Sequence, residues 1–376
     1  MARESESRPS RKPEDSGKSE KRAENRQPAS VKKLVPSKGG LSIGPLEAIA
    51  IAVAIGVMLA LYQKQNADAL VAQCAQHHDR GEYEEALHLC TSALSIYLTL
   101  NDYSRQLGWK DGFFWTDVAQ TTDNIGVVNM NLGDSESALH YHQTALLMRE
   151  AKLGPHHLDV AATKDNLGLV YRQLNYTEKA LELHTQALDI RLQTVGPYDV
   201  ATAASKTAIA NVYYQREDFG KALELYNEVL ETQMETLGHD HLDVAATLQN
   251  IATVLKHSDL DQSWDKFETS LGIIVGIYGH NHRSVADTLN NMGGVLFAQD
   301  KFDAAMSTYQ ESLEIGMSIL GPGHPDVAAT LSNIGAVLEK QGKKEEAEEK
   351  FAQAAAIWQE AGIEWQDELD GPRAEL

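Results

Sequence analysis

The chain has 376 residues, of which 43% are hydrophobic, and carries a net charge of −21 at neutral pH. Residues 1–40 hold 11 Lys and Arg against 6 Asp and Glu, whereas the other 336 residues hold 22 against 48. The excess of acidic residues after residue 40 repels the phosphate backbone of nucleic acids, which excludes a DNA- or RNA-binding role. With only two cysteines, a disulfide framework and a multi-cysteine zinc site are excluded too.

Residues 1–40 form a polar leader rich in Ser, Pro, Lys, Arg and Glu. A segment with so few apolar side chains cannot bury enough surface to offset the entropy of ordering, so we expect the leader to be disordered. Its acidic residues argue against a mitochondrial or plastid transit peptide, which is poor in acids.

Residues 43–62, IGPLEAIAIAVAIGVMLALY, predict a transmembrane anchor. At about 1.5 Å per residue a helix of this length spans roughly 30 Å, the thickness of the hydrocarbon core of a bilayer. Pro45 falls in the first turn, where its missing N–H costs little, and Glu47 is close enough to one end to reach the headgroups. A cleaved signal peptide is the alternative. The long polar leader and the lack of a small-x-small motif near residue 62 argue against it.

The basic leader favours a cytoplasmic N-terminus, because positive flanks are retained on that side. The flank from Gln63 onward has few basic residues. We therefore expect a single-pass protein whose remaining chain lies on the opposite side of the membrane. Insertion after synthesis, as at the mitochondrial outer membrane, would allow the reverse orientation.

One segment recurs along the rest of the chain. The sequence GPHHLDVAATKDNLG at 154–168 returns as GHDHLDVAATLQNIA at 238–252, GHNHRSVADTLNNMG at 279–293 and GPGHPDVAATLSNIG at 321–335. Five glycines open the copies, at spacings of 42, 42, 41 and 42 residues: Gly154, Gly196, Gly238, Gly279 and Gly321. A segment repeated at a fixed period indicates a repeat architecture, whereas a catalytic site is normally written once.

Small residues recur within each unit, and their spacing predicts a helical hairpin. The first small position of the seven units holds Cys74, Gly126, Gly168, Ala210, Ala252, Gly293 and Gly335. A second small residue follows 12 positions later in most units, as Ala138 follows Gly126, and the position four further on holds Cys, His, Tyr or Phe. Small residues let two helices approach, and the i, i+4, i+7 set marks one face of the second helix.

This order of small, small, aromatic and small residues resembles the tetratricopeptide repeat. The 42-residue period, together with LGPGHPDVAATLSNIGAVLEKQGKKEEAEEKFAQA, is similar to the kinesin light chain type of that repeat. The resemblance implies an all-α, right-handed solenoid of about seven helical hairpins at 67–362, after one transmembrane helix. The units fall near 67–107, 117–153, 159–195, 199–237, 243–278, 284–320 and 326–362, and an acidic tail follows at 363–376.

The histidines in the turns between repeat units are predicted to have a structural role. His157, His241, His282 and His324 occupy one equivalent position, and Asp159, Asp199, Asp243, Ser284 and Asp326 are predicted to be the N-caps of the first helices. Packed helices lie roughly 10 Å apart, whereas zinc needs ligands at about 2 Å, so these histidines cannot share an ion. Cys74 and Cys90 are expected to be two small buried residues, and an oxidising lumen would allow a disulfide between them.

Asparagines supply the candidate binding residues. Five of them stand two positions before the small residue, namely Asn124, Asn166, Asn250, Asn291 and Asn333, while the third complete unit has Ala208 there and Asn211 three positions on. The kinesin light chain resemblance implies that they line a concave groove and hold the backbone of an extended peptide. Asp123, Asp165 and Asp287 are expected to add acid to this surface, and Arg172 and Lys256 are its few bases. The alternative is that each asparagine bonds the neighbouring hairpin and serves only stacking.

One loop breaks the period. The segment WKDGFFWT brings together Trp109, Phe113, Phe114 and Trp115. These rings are predicted to tuck under the array as a local plug. An aromatic anchor for a partner or for the membrane surface is the alternative.

These features predict a membrane-anchored scaffold that binds a protein or peptide partner in its groove. No enzyme motif appears, and we expect no cofactor, no metal and no small-molecule substrate. A kinesin-light-chain-like cargo adaptor and an import or assembly receptor at an organelle membrane are the alternatives, although the leader and anchor stand where a light chain has its coiled coil. Asn175-Tyr176-Thr177 matches a glycosylation sequon, which is usable only in a secretory lumen.

Overall fold

The computed structural model describes residues 44–109 and 112–361, and every regular element in these ranges is a helix. The predicted all-α fold is therefore confirmed. The leader at 1–40 and the tail at 363–376 lie outside the described residues. The helices are α1 Pro45–Asp79, α2 Tyr83–Gln106, α3 Trp115–Asn131, α4 Ser135–Leu153, α5 Leu158–Gln173, α6 Thr177–Thr194, α7 Val200–Gln215, α8 Phe219–Leu237, α9 Leu242–Leu255, α10 Leu260–Tyr278, α11 Arg283–Ala298, α12 Phe302–Leu320, α13 Pro325–Lys340 and α14 Lys344–Glu360.

Consecutive helices pair into hairpins, and each hairpin packs on the next one along the chain. The turn inside most of the hairpins contains one residue with a left-handed backbone, and from α3 onward these residues are Gly133, Asn175, Glu217, Asp300 and Gly342. Glycines end most of the second helices. Gly154, for example, is the C-cap of α4 with a φ of 84°, where a side chain would be strained. The repeating glycines of the sequence are therefore helix stops.

The small residues of the repeat mark where two helices of one hairpin touch. A Cβ added to Gly126 would lie 2.6 Å from Cε1 of His142, and one added to Gly335 would lie 2.8 Å from Cε1 of Phe351. The second small residue is buried in the same way, as Ala138 and Ala305 are. A ring of one helix thus rests directly on the backbone of its partner. This contact is what the 12- and 4-residue spacings predicted.

The capping of the first helices differs from the prediction. The side chains of four histidines, not of the residues two positions later, accept the first free backbone N–H groups: His157, His241, His282 and His324. In the array Asp199 alone caps as predicted, accepting from Ala201 N–H at 2.8 Å. The aspartates that follow the histidines lie in the first turn instead. Negative charge is favourable there because the N-terminus of a helix carries partial positive charge.

The contacts divide the chain into a unit that ends at Leu59 and a unit that starts at Ala60. In the first unit the described part of α1 is apolar and exposed, with Leu46 81% and Leu59 59% accessible. In the second unit the later part of α1 serves as the first helix of the first hairpin, where Ala67 packs with Ala93 and Tyr97. A single helix therefore carries both the predicted anchor and the start of the array.

Candidate peptide-binding groove

The first helices of successive hairpins contact one another, as α3 does with α5, α5 with α7, and α11 with α13. We call the surface of these helices that carries the six candidate asparagines the groove face. Five of the six are half-buried at regular intervals, and Asn333 is buried. The asparagines thus lie side by side along the array, but their hydrogen bonds differ.

Two asparagines bond to the preceding hairpin. Nδ2 of Asn166 donates to Oδ2 of Asp123 at 3.2 Å, and Nδ2 of Asn333 donates to Oδ1 of Asn290 at 3.0 Å. Each bond joins two successive first helices, and the two bonded residues are 43 apart in the chain. At these two positions the geometry favours the stacking alternative.

Two further asparagines bond inside their own hairpin. Oδ1 of Asn211 accepts a hydrogen bond from the Tyr226 hydroxyl on the second helix. Burial raises the pKa of that hydroxyl, so Tyr226 remains a neutral donor at physiological pH. Oδ1 of Asn124 accepts from Nε2 of Gln120, one turn earlier, at 2.9 Å. In the ranges that the structure describes, the NH₂ group of neither amide donates a hydrogen bond.

Asn250 and Asn291 are different. Within the described residues 44–109 and 112–361, neither side chain makes a hydrogen bond, and both are half-buried on adjacent first helices, α9 and α11. Each amide has two donor hydrogens and an acceptor oxygen to offer. They form a pair of equivalent amides that have no hydrogen-bond partner among the described residues.

The two predicted bases also lie on first helices. Arg172 is half-buried near the end of α5, and its Nε has no hydrogen-bond partner in the described part of the chain. Its charge acts against the rise in the pKa of Tyr226. Lys256 follows α9 and reaches the next first helix, because its Nζ lies 3.8 Å from where a Cβ on Gly294 would stand.

Asp123 and Asp165 are not groove acids, contrary to the prediction. Asp123 is 3% exposed, and its carboxylate accepts from His142 Nδ1 at 2.6 Å and from Arg149 Nη1 at 2.8 Å. Arg149 is buried as well and donates to the Asp159 carbonyl at 3.2 Å. A buried charge needs such partners, and they turn the carboxylate toward the second helix. The acid therefore holds the hairpins together.

The next hairpin repeats the arrangement. His184 Nδ1 donates to Asp165 at 2.7 Å, and Arg191 donates both to the same carboxylate and to the Ala201 carbonyl. Sequence reasoning missed these two Asp-His-Arg clusters. The signal was present, because the separations of 19 and 26 residues recur in both units. Asp287, in contrast, stays on the surface with a side chain that is 52% exposed.

The aromatic loop divides into two parts. Phe114 is buried, whereas Trp109 and Phe113 are exposed and lie 5.1 Å apart, and Trp115 is half-buried. The loop is held by side chains of α2, since Phe113 N–H donates to Ser104 Oγ at 2.9 Å and Phe114 N–H to Asn101 Oδ1 at 3.2 Å. The plug prediction thus fits Phe114 alone, and an exposed aromatic pair remains.

Cys74 and Cys90 form a disulfide, with Cα atoms 5.6 Å apart. Both residues are buried between α1 and α2 as predicted, and the structure has the disulfide that the sequence left open. In the second helices of the later hairpins this position holds a ring instead. Sulfur at both facing positions is what lets this hairpin close covalently.

The part of the chain that the structure describes contains no cluster of three or more His, Cys, Asp or Glu side chains arranged to hold a metal ion. The turn histidines act through hydrogen bonds to backbone N–H groups, as with His241 Nδ1 and Asp243 N–H at 3.2 Å. The turn histidines are therefore helix caps in this structure.

Stacked helical hairpins with a continuous face of first helices define the class of repeat solenoids. The tetratricopeptide repeat family model matches residues 117–193, 199–273, 256–316 and 284–360. The chain belongs to the tetratricopeptide repeat family, whose fold is typical of protein-protein interaction scaffolds and is usually not enzymatic. No curated protein sequence matches it.

Several solved structures share the fold. The apo form of RapI aligns with a TM-score of 0.56 at 14% identity, over 79% of this chain and 98% of RapI. The Rap conjugation gene regulator of plasmid pLS20, in complex with the Phr* peptide, aligns with a TM-score of 0.56 at 15% identity, over 89% and 80%. The TPR-like repeats of a Podosopora anserina protein described as a kinesin light chain align with a TM-score of 0.48 at 20% identity, over 55% and 98%.

Proposed function

We propose that this protein is a membrane-anchored scaffold that binds an extended peptide of a partner protein on the groove face. The observation that carries the proposal is the pair of amides on adjacent first helices, Asn250 and Asn291, which make no hydrogen bond to any residue that the structure describes. Amides can bond to a peptide backbone whatever its side chains are. The Rap regulator with its bound Phr* peptide is a structural neighbour that holds a peptide, which supports this use of the fold.

Arg172 adds a charged contact to the proposed site. Its guanidinium is half-buried in a protein whose other ionised groups are mostly acidic, and its Nε is unpartnered within the described residues. A peptide with an acidic or carboxylate group near this point would supply the missing acceptor. A rigid, stacked array also pre-forms the site, which lowers the ordering cost of binding.

The experiment is selection of peptides from a random library on the full-length protein in detergent or nanodiscs, followed by calorimetry. We expect the double substitution Asn250→Ala, Asn291→Ala to weaken the selected peptide about tenfold or more, since each lost hydrogen bond costs about 1 kcal/mol. The matched control is Asn227→Ala, an exposed asparagine on the second helix α8. Equal affinities for both variants would place the peptide elsewhere and overturn the proposal.

We further propose that residues 43–62 anchor the protein in a membrane and that the array lies on the oxidising side. The helix that starts at Pro45 is long and apolar enough to cross a bilayer, by length and composition. The Cys74–Cys90 disulfide supports the orientation, because disulfides persist in oxidising compartments and are rare in the cytosol. This arrangement disfavours the cargo-adaptor and cytosolic-receptor alternatives.

Protease protection in sealed membranes tests the orientation. A C-terminal tag on the full-length chain should resist protease until detergent is added. Digestion of the tag without detergent would put the groove face in the cytosol, reverse the orientation and revive both alternatives. Extraction of the protein by alkaline carbonate would show that it is not membrane-spanning at all.

A further inference from the structure

The turn between α5 and α6 exposes an Asn-x-Thr triplet. Asn175 is exposed, with a left-handed φ of 61°, Tyr176 is the N-cap of α6, and Thr177 is the first residue of that helix. The acceptor asparagine therefore projects from the tip of a hairpin. An asparagine followed by any residue but proline and then Ser or Thr is the acceptor motif for an N-linked glycan.

The turn does not itself require an asparagine. The equivalent left-handed position is Gly133, Glu217, Asp300 or Gly342 in other hairpins, so glycine and two acidic residues serve the backbone equally well. Oδ1 of Asn175 accepts a bond from Gln215 Nε2 at 3.2 Å. In the described part of the chain its Nδ2, the atom that would carry a sugar, donates no hydrogen bond.

An independent feature points to the same compartment. The Cys74–Cys90 disulfide fits an oxidising lumen, and the secretory lumen is where N-linked glycans are added. The disulfide joins α1 to α2, whereas the triplet lies between α5 and α6, so the disulfide is a separate observation from the triplet.

We propose that Asn175 is an N-glycosylation site; this rests on the proposed luminal orientation. The donor is a lipid-diphosphate-linked oligosaccharide. Transfer forms a bond between Nδ2 of Asn175 and C1 of the first sugar and breaks the bond from C1 to the diphosphate oxygen. The lipid diphosphate leaves with the bonding electron pair, and the amide loses one proton.

A glycan at this turn would lie just beyond the end of α5, which ends at Gln173. The carbonyl of Arg172 accepts the Asn175 N–H at 3.0 Å, so the sugar would stand near the Arg172 end of the groove face. It would increase the solubility of this edge of the array.

The test is cell-free translation of the full-length chain with endoplasmic reticulum microsomes, followed by N-glycosidase digestion. We expect one glycosidase-sensitive shift in mobility that is lost in Asn175→Gln and in Thr177→Ala. The matched control is Gly342→Asn combined with Lys344→Thr, which places the same triplet in the equivalent exposed turn between α13 and α14.

The outcomes separate the two proposals. The Asn175 site is overturned if the control variant is glycosylated while the wild type and Asn175→Gln migrate alike. The luminal orientation then still stands, because the added triplet at residue 342 has received a glycan. If neither protein is modified and the C-terminal tag is digested without detergent, both the site and the orientation fail. Peptide affinity, measured on unglycosylated protein, is a third readout that neither result alters.

Discussion

Nδ1 of His142 lies 2.6 Å from Oδ1 of Asp123, with both side chains buried between the two helices of one hairpin. A carboxylate only accepts, so the imidazole donates from Nδ1. Its other nitrogen, Nε2, is buried without a partner in the described structure. The same pair recurs as His184 and Asp165 in the next hairpin. The hairpins that follow use other residues at these positions.

Removing the acid should destabilise the array. Asp123→Ala leaves the buried Arg149 without its carboxylate, and we expect a loss of about 3–5 kcal/mol of the free energy of unfolding. Denaturant unfolding followed by circular dichroism measures it. An unchanged transition would mean that Arg149 does not depend on Asp123.

A control for Asp123→Ala comes from the hairpin of α9 and α10. It has Gln249, Phe267 and Ile274 at the positions equivalent to Asp123, His142 and Arg149. The triple substitution Asp123→Gln, His142→Phe, Arg149→Ile should be more stable than Asp123→Ala alone. It removes the buried charge together with its partners, and replacing a buried ion pair by apolar residues is often neutral.

Gly126→Ala should also destabilise the protein. The added Cβ would lie 2.6 Å from the His142 ring, which is buried and cannot move away. Overpacking of this kind typically costs about 1–3 kcal/mol. Gly272→Ala is the matched control, because a Cβ there meets nothing within 4 Å on the exposed side of α10. That variant should gain about 0.5–1 kcal/mol from helix propensity. A loss of similar size in both variants would contradict the packing argument.

His241→Ala should lower the stability by about 1 kcal/mol, because it removes the acceptor for the Asp243 N–H at the start of α9. His241→Asn should restore most of the loss, since asparagine is a good N-cap. Thermal melts of the three proteins check this. If both substitutions cost the same, the ring contributes by packing and not by capping.

Reduction of the Cys74–Cys90 disulfide should destabilise the first hairpin. The two residues are 16 apart, and closing a loop of about that length stabilises a protein by about 3 kcal/mol in the chain-entropy model. The measurement is thermal unfolding with and without reductant, beside the double substitution Cys74→Ala, Cys90→Ala. The reductant should have no effect on the double variant. Free thiols at both positions in the purified native protein would rule the disulfide out.

Phe114→Ala should be much more damaging than Phe113→Ala. Phe114 is 7% exposed, and truncating a buried phenylalanine costs about 3–5 kcal/mol. Phe113 is 62% exposed, so its loss should change the melting temperature little. Equal effects would mean that the loop folds onto the array in another way.

The sequence by itself determined the repeat period, the helical hairpins and the contact between Gly126 and the ring of His142. These features follow from local spacing, because a helix places residues i, i+4 and i+7 on one face and only small residues allow two backbones to approach. The same spacing recurs in each repeat unit, so a prediction made from one unit is supported by the others.

Only the tertiary structure decided what each polar side chain bonds to. The sequence predicts that Asp123 lies on the groove face. In the structure its carboxylate is buried and accepts hydrogen bonds from His142 and Arg149, which are 19 and 26 residues away. Asn166 and Asn250 hold the same position in the repeat, yet Asn166 bonds to Asp123 of the previous hairpin and Asn250 bonds to nothing within the described residues. The partner of a polar group lies in another helix, and its chemistry changes from unit to unit while the period stays the same.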